Sequence, residues 1–130
     1  MKVVIDTNVI VSALINPKGY PAKTFNLFLN EKLQLYYDNR IIEEYVSVLN
    51  RERFGFDKQS INALMDYIKN TGVFTIANPI SIEFEDEEDK KFLEVALSAK
   101  ADYLITGNIK HFPDSDIIIT PKNFILYFPC

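Results

Sequence analysis

Lys2-Val3-Val4-Ile5-Asp6-Thr7-Asn8-Val9-Ile10 ends an apolar run on a carboxylate followed by two small polar side chains. Val3 to Ile5 are β-branched and uninterrupted, the composition of a strand buried on both faces in the middle of a parallel sheet. Asp6 then stands at the carboxyl end of that strand, and in open α/β sheets ligands bind in the crevice just outside those ends. The position also suits a helix cap, with Asp6 or Asn8 accepting from the first turn of a helix over Val9 to Ile15. On this stretch alone both readings stand.

Outward from it, breakers at Asn16-Pro17-Lys18-Gly19 close the first helix, and a loop runs to Pro21. Apolar spacing predicts a helix over Ala22 to Glu31 and a strand over Lys32 to Tyr37, with Asp38 or Asn39 free to cap the next segment. Arg40 to Arg51 carries Ile41, Ile42, Tyr45, Val46, Val48 and Leu49 on one stripe and ends at Arg51-Glu52-Arg53-Phe54-Gly55. A second amphipathic helix over Asp57 to Lys69 is stopped by Gly72 and leads to a strand over Val73 to Ile76. A connection from Asn78-Pro79 enters the acidic run Glu83 to Asp89, and Phe92, Leu93, Ala96, Leu97 and Ala99 define the helix after it. Strands over Tyr103 to Thr106 and Ile117 to Ile119 follow, and Pro121 opens a terminal helix at its favoured first position. Strands separated by helices in this way predict an α/β fold with a parallel sheet covered on both faces.

A chain of 130 residues, 48% hydrophobic and 13% aromatic, has material for one core and one domain, residues 1–130. With 14 basic and 18 acidic residues the net charge is -4, so no bulk positive field advertises nucleic-acid binding. An acidic excess still suits a nucleic-acid enzyme whose metal ions neutralise a carboxylate cluster. The sole cysteine, Cys130, excludes an intrachain disulfide or cysteine zinc site. The amino terminus does not resemble a signal peptide, and no run of about 18 apolar residues spans a bilayer. The expectation is a cytoplasmic protein with no membrane association.

Three acids are drawn to the same sheet edge. Glu44 shares helical rows with Ile41 and Val48, whereas Glu43 faces Arg40 and Ser47 and belongs in solvent. Asp89 precedes Phe92 and Leu93 by three and four residues, while Asp86, Glu87 and Glu88 serve capping and solvation, Asp86 as the N-cap. The plainer readings are a surface ion pair for Glu44 and a capping-box role for Asp89. Three converging carboxylates repel one another unless a cation or shared protons intervene. Oxygen-only ligands point to Mg²⁺ or Mn²⁺, and such a site suits phosphodiester hydrolysis.

Val4-Ile5-Asp6-Thr7-Asn8-Val9-Ile10-Val11-Ser12-Ala13-Leu14, then Glu44-Tyr45-Val46-Ser47-Val48-Leu49, then Asp89-Lys90-Lys91-Phe92-Leu93-Glu94-Val95-Ala96-Leu97 with Ala101-Asp102-Tyr103-Leu104-Ile105-Thr106-Gly107, resemble a PIN domain in order and across the whole chain. Within that family the chain is most similar to small single-domain VapC-like toxins of toxin–antitoxin systems. The resemblance implies a three-layer α/β/α sandwich with a central, mainly parallel sheet of four or five strands. It also implies a Mg²⁺- or Mn²⁺-dependent endoribonuclease that leaves 5′-phosphate and 3′-hydroxyl ends, an antitoxin partner and a homodimer. Asp6, Glu44 and Asp89 match the family's catalytic and metal-binding acids, Asn8 the polar residue supporting the first of them, and Thr106 and Asn108 the strand end opposite.

Many members carry Thr-Gly-Asp where this chain has Thr106-Gly107-Asn108, which weakens a second metal site and admits an RNA- and metal-binding module with little turnover. Asp114 and Asp116 offer compensating acids from the next loop. Lys110 suits a phosphate contact and His111 a proton transfer or RNA contact, against a plain surface charge and a solvated or Phe112-packed imidazole. Tyr20 suits nucleobase stacking, against a simple helix connection. A haloacid-dehalogenase-like phosphatase needs an aspartate where Asn8 stands, and a receiver domain needs paired acids at the first strand.

Overall fold

In the computed structural model, which describes residues 1–128, the described residues form β1 (Lys2–Ile5), α1 (Thr7–Ile15), α2 (Tyr20–Leu29), β2 (Gln34–Tyr37), α3 (Asn39–Leu49), α4 (Lys58–Thr71), β3 (Val73–Phe74), α5 (Glu87–Ala99), β4 (Tyr103–Ile105), β5 (Ile118–Ile119) and α6 (Pro121–Tyr127). Single 3-10 turns cover Glu52–Phe54 and Ile109–His111. Cys130 lies outside the described residues.

The five strands form one sheet in the order β3-β2-β1-β4-β5, every pairing parallel. β1 is central, with Val3 beside Tyr103 and Ile5 beside Ile105 on one side, and Val3 beside Leu35 on the other. Val3, Val4 and Ile5 are all fully buried. Successive strand residues point to opposite faces, so this is possible only where helices cover both. From β1 the chain moves outward through β2 to β3 and then returns to β4. Right-handed crossovers put α5, which makes that return, on the face opposite the outward helices. On the outward face, α4 meets α2 through Tyr67 against Phe28, ring centroids 5.3 Å apart. The seam between β1 and β4 is therefore where the connections change direction, the place such sheets bind ligands.

Several element boundaries differ from the sequence expectation. α2 starts at Tyr20, not Ala22, because Pro21 fits the first helical turn, where no amide hydrogen is needed. α1 starts at Thr7, directly after β1, and β3 ends at Phe74. Val46 and Leu97, both expected on buried stripes, are exposed, since α3 and α5 bury only Ile41, Ile42, Tyr45 and Leu49 and the stretch Lys91 to Ala96. The caps at Asp38, Asp86 and Thr120 form as side-chain hydrogen bonds to Ile41, Glu88 and Asn123.

Between β3 and α5 the chain runs back along α5. The Asn78 amide donates to Ser98 Oγ at 2.9 Å and the Ile80 amide to Glu94 Oε2 at 3.0 Å. Buried Glu94 also takes Arg40 Nη1 at 2.8 Å, and Arg40 holds Asp38 at 2.7 Å, so one guanidinium ties the start of α3 to the middle of α5.

Gly72 ends α4 without a positive φ; what it supplies is space. A Cβ there would stand 2.6 Å from the Ile68 carbonyl oxygen and 2.8 Å from that of Leu35, both backbone atoms. Gly72→Ala is expected to cost about 1–3 kcal/mol, read as a lower urea midpoint at unchanged slope. An unaltered midpoint would refute the clash.

Candidate active site at the carboxyl edge of the sheet

Asp6 leaves β1 with its amide still paired to the Ile105 carbonyl at 2.9 Å, which fixes the residue at the β1–β4 seam. It occupies the N-cap position of α1 but its side chain caps nothing. The hydrogen bonds it receives from other side chains fall on Oδ2, from Thr106 Oγ1 at 2.8 Å and Asn8 Nδ2 at 3.4 Å. Asn8 spans the seam, its Oδ1 accepting from the Gly107 amide at 3.1 Å. Fully buried Thr106 in turn accepts from the Asn108 amide at 3.0 Å. Asp6 is 6% exposed. Burial pushes its pKa up to about 6 from an ordinary 3.8, and the charges of Asp89 and Glu44 add to that rise against the opposing Thr106 hydrogen bond.

A groove of about 390 Å³ opens over Asp6 and is lined also by Asn8, Glu44, Asp89, Asn108 and His111. The sequence-predicted acids thus meet in one place. Thr106 lies beneath the groove, holding Asp6; Lys110, Asp114, Asp116 and Tyr20 are not among its lining residues. Tyr20 instead carries Lys23 over its ring, 5.1 Å from the centroid.

Asp89 faces the groove from the first turn of α5, and the alternative capping-box role does not form. Its Oδ2 is buried without a hydrogen bond, and the nearest cationic candidate, His111 Nδ1, stands 3.4 Å away. Burial raises the Asp89 pKa, with the charges of Asp86 and Glu44 adding to it and His111 opposing.

Glu44 has a different environment. Thr7 Oγ1 donates to Oε2, and Lys91 Nζ lies 2.7 Å from Oε1. Lys91 is buried and also reaches the Glu88 carbonyl at 2.6 Å and the Glu88 carboxylate at 3.1 Å. Burial works against this ammonium, yet Glu44 and Glu88 outweigh it and hold Lys91 above the ordinary lysine value. Next to Glu44, fully buried Tyr45 donates its hydroxyl to the Ile5 carbonyl, pinning α3 to the end of β1. Lys91, Thr7 and Tyr45 did not stand out in the sequence. The Lys90-Lys91 pair reads as solvated charge until α3 is seen to cover it.

The match to known proteins now has a site to explain. The PIN domain family model covers residues 2–110. The chain belongs to the PIN domain family. PIN domains are generally metal-dependent nucleases, and this one keeps their all-parallel α/β sheet. The uncharacterized protein MJ1680 of Methanocaldococcus jannaschii is similar, 38% identical over an alignment of 147 positions that covers 98% of this chain and 92% of that protein. Among the described residues no helix is long and apolar enough to cross a membrane.

PIN domains typically bind a divalent metal, and the residues here fit one unevenly. Asp6 and Asp89 have the character of cation ligands: both are raised by burial and by neighbouring negative charge, and Asp89 has an unmatched buried oxygen. Glu44 has both oxygens engaged by the protein itself. Consistent with that division, no three Asp, Glu, His or Cys side chains among the described residues are grouped closely enough to hold a metal ion on their own.

Proposed function

We propose that this PIN domain is an endoribonuclease that uses Mg²⁺ or Mn²⁺, with Asp6 and Asp89 as its principal ligands and Glu44 as the third catalytic acid. The observation that carries the reading is the meeting in one groove of buried Asp6, at the β1–β4 seam, and half-buried Asp89, from the first turn of α5, both shifted toward protonation and short of positive charge. A bound divalent ion would supply that charge and the acidity an attacking water needs at neutral pH. Thr106 and Asn8 orient Asp6, and His111 stands where it can exchange a proton with Asp89 or the RNA backbone. Thr7 and Lys91 hold Glu44 at the groove wall, directing its remaining lone pairs toward a water or a second ion. In this reading Lys110, exposed on the turn beside the site, contacts an RNA phosphate.

Within that reading the protein is the toxin of a toxin–antitoxin pair, acting in the cytoplasm as a homodimer and restrained by an antitoxin. Support comes from the resemblance of its motif blocks to VapC-like toxins. The test is Mn²⁺-dependent cleavage of labelled RNA with mapped ends, beside growth after induced expression. Internal cuts bearing 5′-phosphates and growth arrest that needs Asp6 are expected. No cleavage in any divalent ion would sink the enzyme, and cleavage without arrest would sink only the toxin.

A second reading, an RNA- and metal-binding module with little turnover, is favoured by the Lys91–Glu44 pair together with Asn108 in place of an acid. Calorimetric Mn²⁺ binding and RNA retention without cut ends would select it.

A further inference from the structure

We propose that Arg51, Arg53 and Phe54 form the wall that grips single-stranded RNA, each guanidinium taking a backbone phosphate beside the one to be cut. The inference rests on the ribonuclease reading and adds to it the path of the strand. Arg51 stands at the N-cap of the 3-10 turn after α3 and Arg53 within it, and both line the groove over Asp6 together with Phe54. Both arginines are exposed.

What distinguishes them is their pairing. Among the described residues, the other lysines and arginines that line this groove or the one beside it are committed: Arg40 to Asp38 and Glu94, Lys90 to Glu87, and Lys91 to Glu44 and Glu88. Neither Arg51 nor Arg53 is in an ion pair among those residues. Arg53 is held by an aromatic surface, its guanidinium carbon 4.9 Å from the Phe54 ring centroid. Phe54 is itself braced by Phe56, stacked at 5.4 Å and 13°. Gly55, at φ 64, makes the reversal that brings the two rings together, a backbone conformation that costs glycine least. The turn therefore fixes a guanidinium without neutralising it, which leaves its charge and its planar donors for an anion.

Free guanidinium donors mark this route off from its neighbour. In the larger groove between α3 and α5, about 820 Å³, Arg51 recurs, but the other cations are paired with acids. Of the two grooves, the one over Asp6 has Arg53 and its aromatic footing as well. Because Asp6 is buried at the groove floor, the cut phosphate has to descend into a narrow space. A single strand can bend to do this and a duplex resists it.

Binding is best read without cleavage, in an Asp6→Asn background, by fluorescence anisotropy of a single-stranded RNA of about 10 nucleotides. Arg51→Ala with Arg53→Ala should weaken binding at least about tenfold and flatten the dependence of log Kd on log salt by about 1.4, two phosphates at about 0.7 each. Phe54→Leu, which keeps both charges but removes the footing, should cost about two- to fivefold. Lys122→Ala, an exposed cation away from the groove, should alter neither quantity. Thermal melts should be the same for the parent, the double arginine variant and Lys122→Ala, since all three side chains are solvent-exposed. If the parent binds no RNA, both the ribonuclease reading and this inference fall. If the parent binds and the double variant matches it in affinity and slope, or Lys122→Ala loses as much, this inference alone falls.

Discussion

Asp6→Asn is expected to cut RNA cleavage by about 10²–10⁴-fold and, in the metal-free protein at pH 7.5, to raise the melting temperature. The two effects have one origin. In the folded chain Asp6 titrates near 6 where an unfolded aspartate titrates at 3.8, so the folded state holds this proton more tightly. Below pH 3.8 the residue is neutral in both states and carries no penalty. As pH rises toward 6 the unfolded chain ionises first and stability falls; above 6 the full penalty persists. The gap corresponds to about 3 kcal/mol at neutral pH. Asparagine keeps an acceptor for Thr106 and never ionises, so the variant should lose this part of the decline between pH 5.0 and 7.5. Melts of both proteins in EDTA across that interval measure it. A variant that melts below the parent at pH 7.5, or cleaves like it, refutes the account.

Lys91→Met should destabilise the metal-free protein by about 2–4 kcal/mol. Breaking a buried ion pair strands the remaining charge, here Glu44, beside Asp6 and Asp89. The range sits below that of a fully enclosed pair because the Glu44 side chain is 23% exposed. A few millimolar Mn²⁺ should recover much of the loss by standing in for the ammonium, and should stabilise the variant more than the parent. Lys91→Arg, which keeps the charge, should lose less. Urea titrations of each protein with and without Mn²⁺ give the answer, and an equal response of parent and variant to the ion would overturn it.

The sheet was readable because its central strands are written in β-branched and apolar triplets, Val3-Val4-Ile5 and Leu104-Ile105 with Thr106 behind them, which suit no other place. The three acids were readable because each stands against an apolar neighbour on its own element. What could not be read were the groups whose surroundings arrive from elsewhere in the chain. Lys91 and Glu94 look like solvated helix charges; their burial depends on Glu44 and Arg40 from α3 and on the returning Ile80 amide. Arg51-Glu52-Arg53-Phe54-Gly55 reads only as the end of a helix, since nothing local says that this end overhangs Asp6. Pro21 misled for a simpler reason: the same residue breaks a helix inside and suits its first turn.

The bonds from Thr106 to Asp6 and from Gly107 to Asn8 join residues 100 and 99 positions apart. In order of synthesis Asp6 comes 100 residues before the Thr106 hydroxyl that orients it, with β4 made just ahead of that hydroxyl. A nascent chain ending before Tyr103 has its first acid but neither the seam that sets it nor the β4 strand beside it. The site is thereby completed only about 100 residues after its first acid has been made.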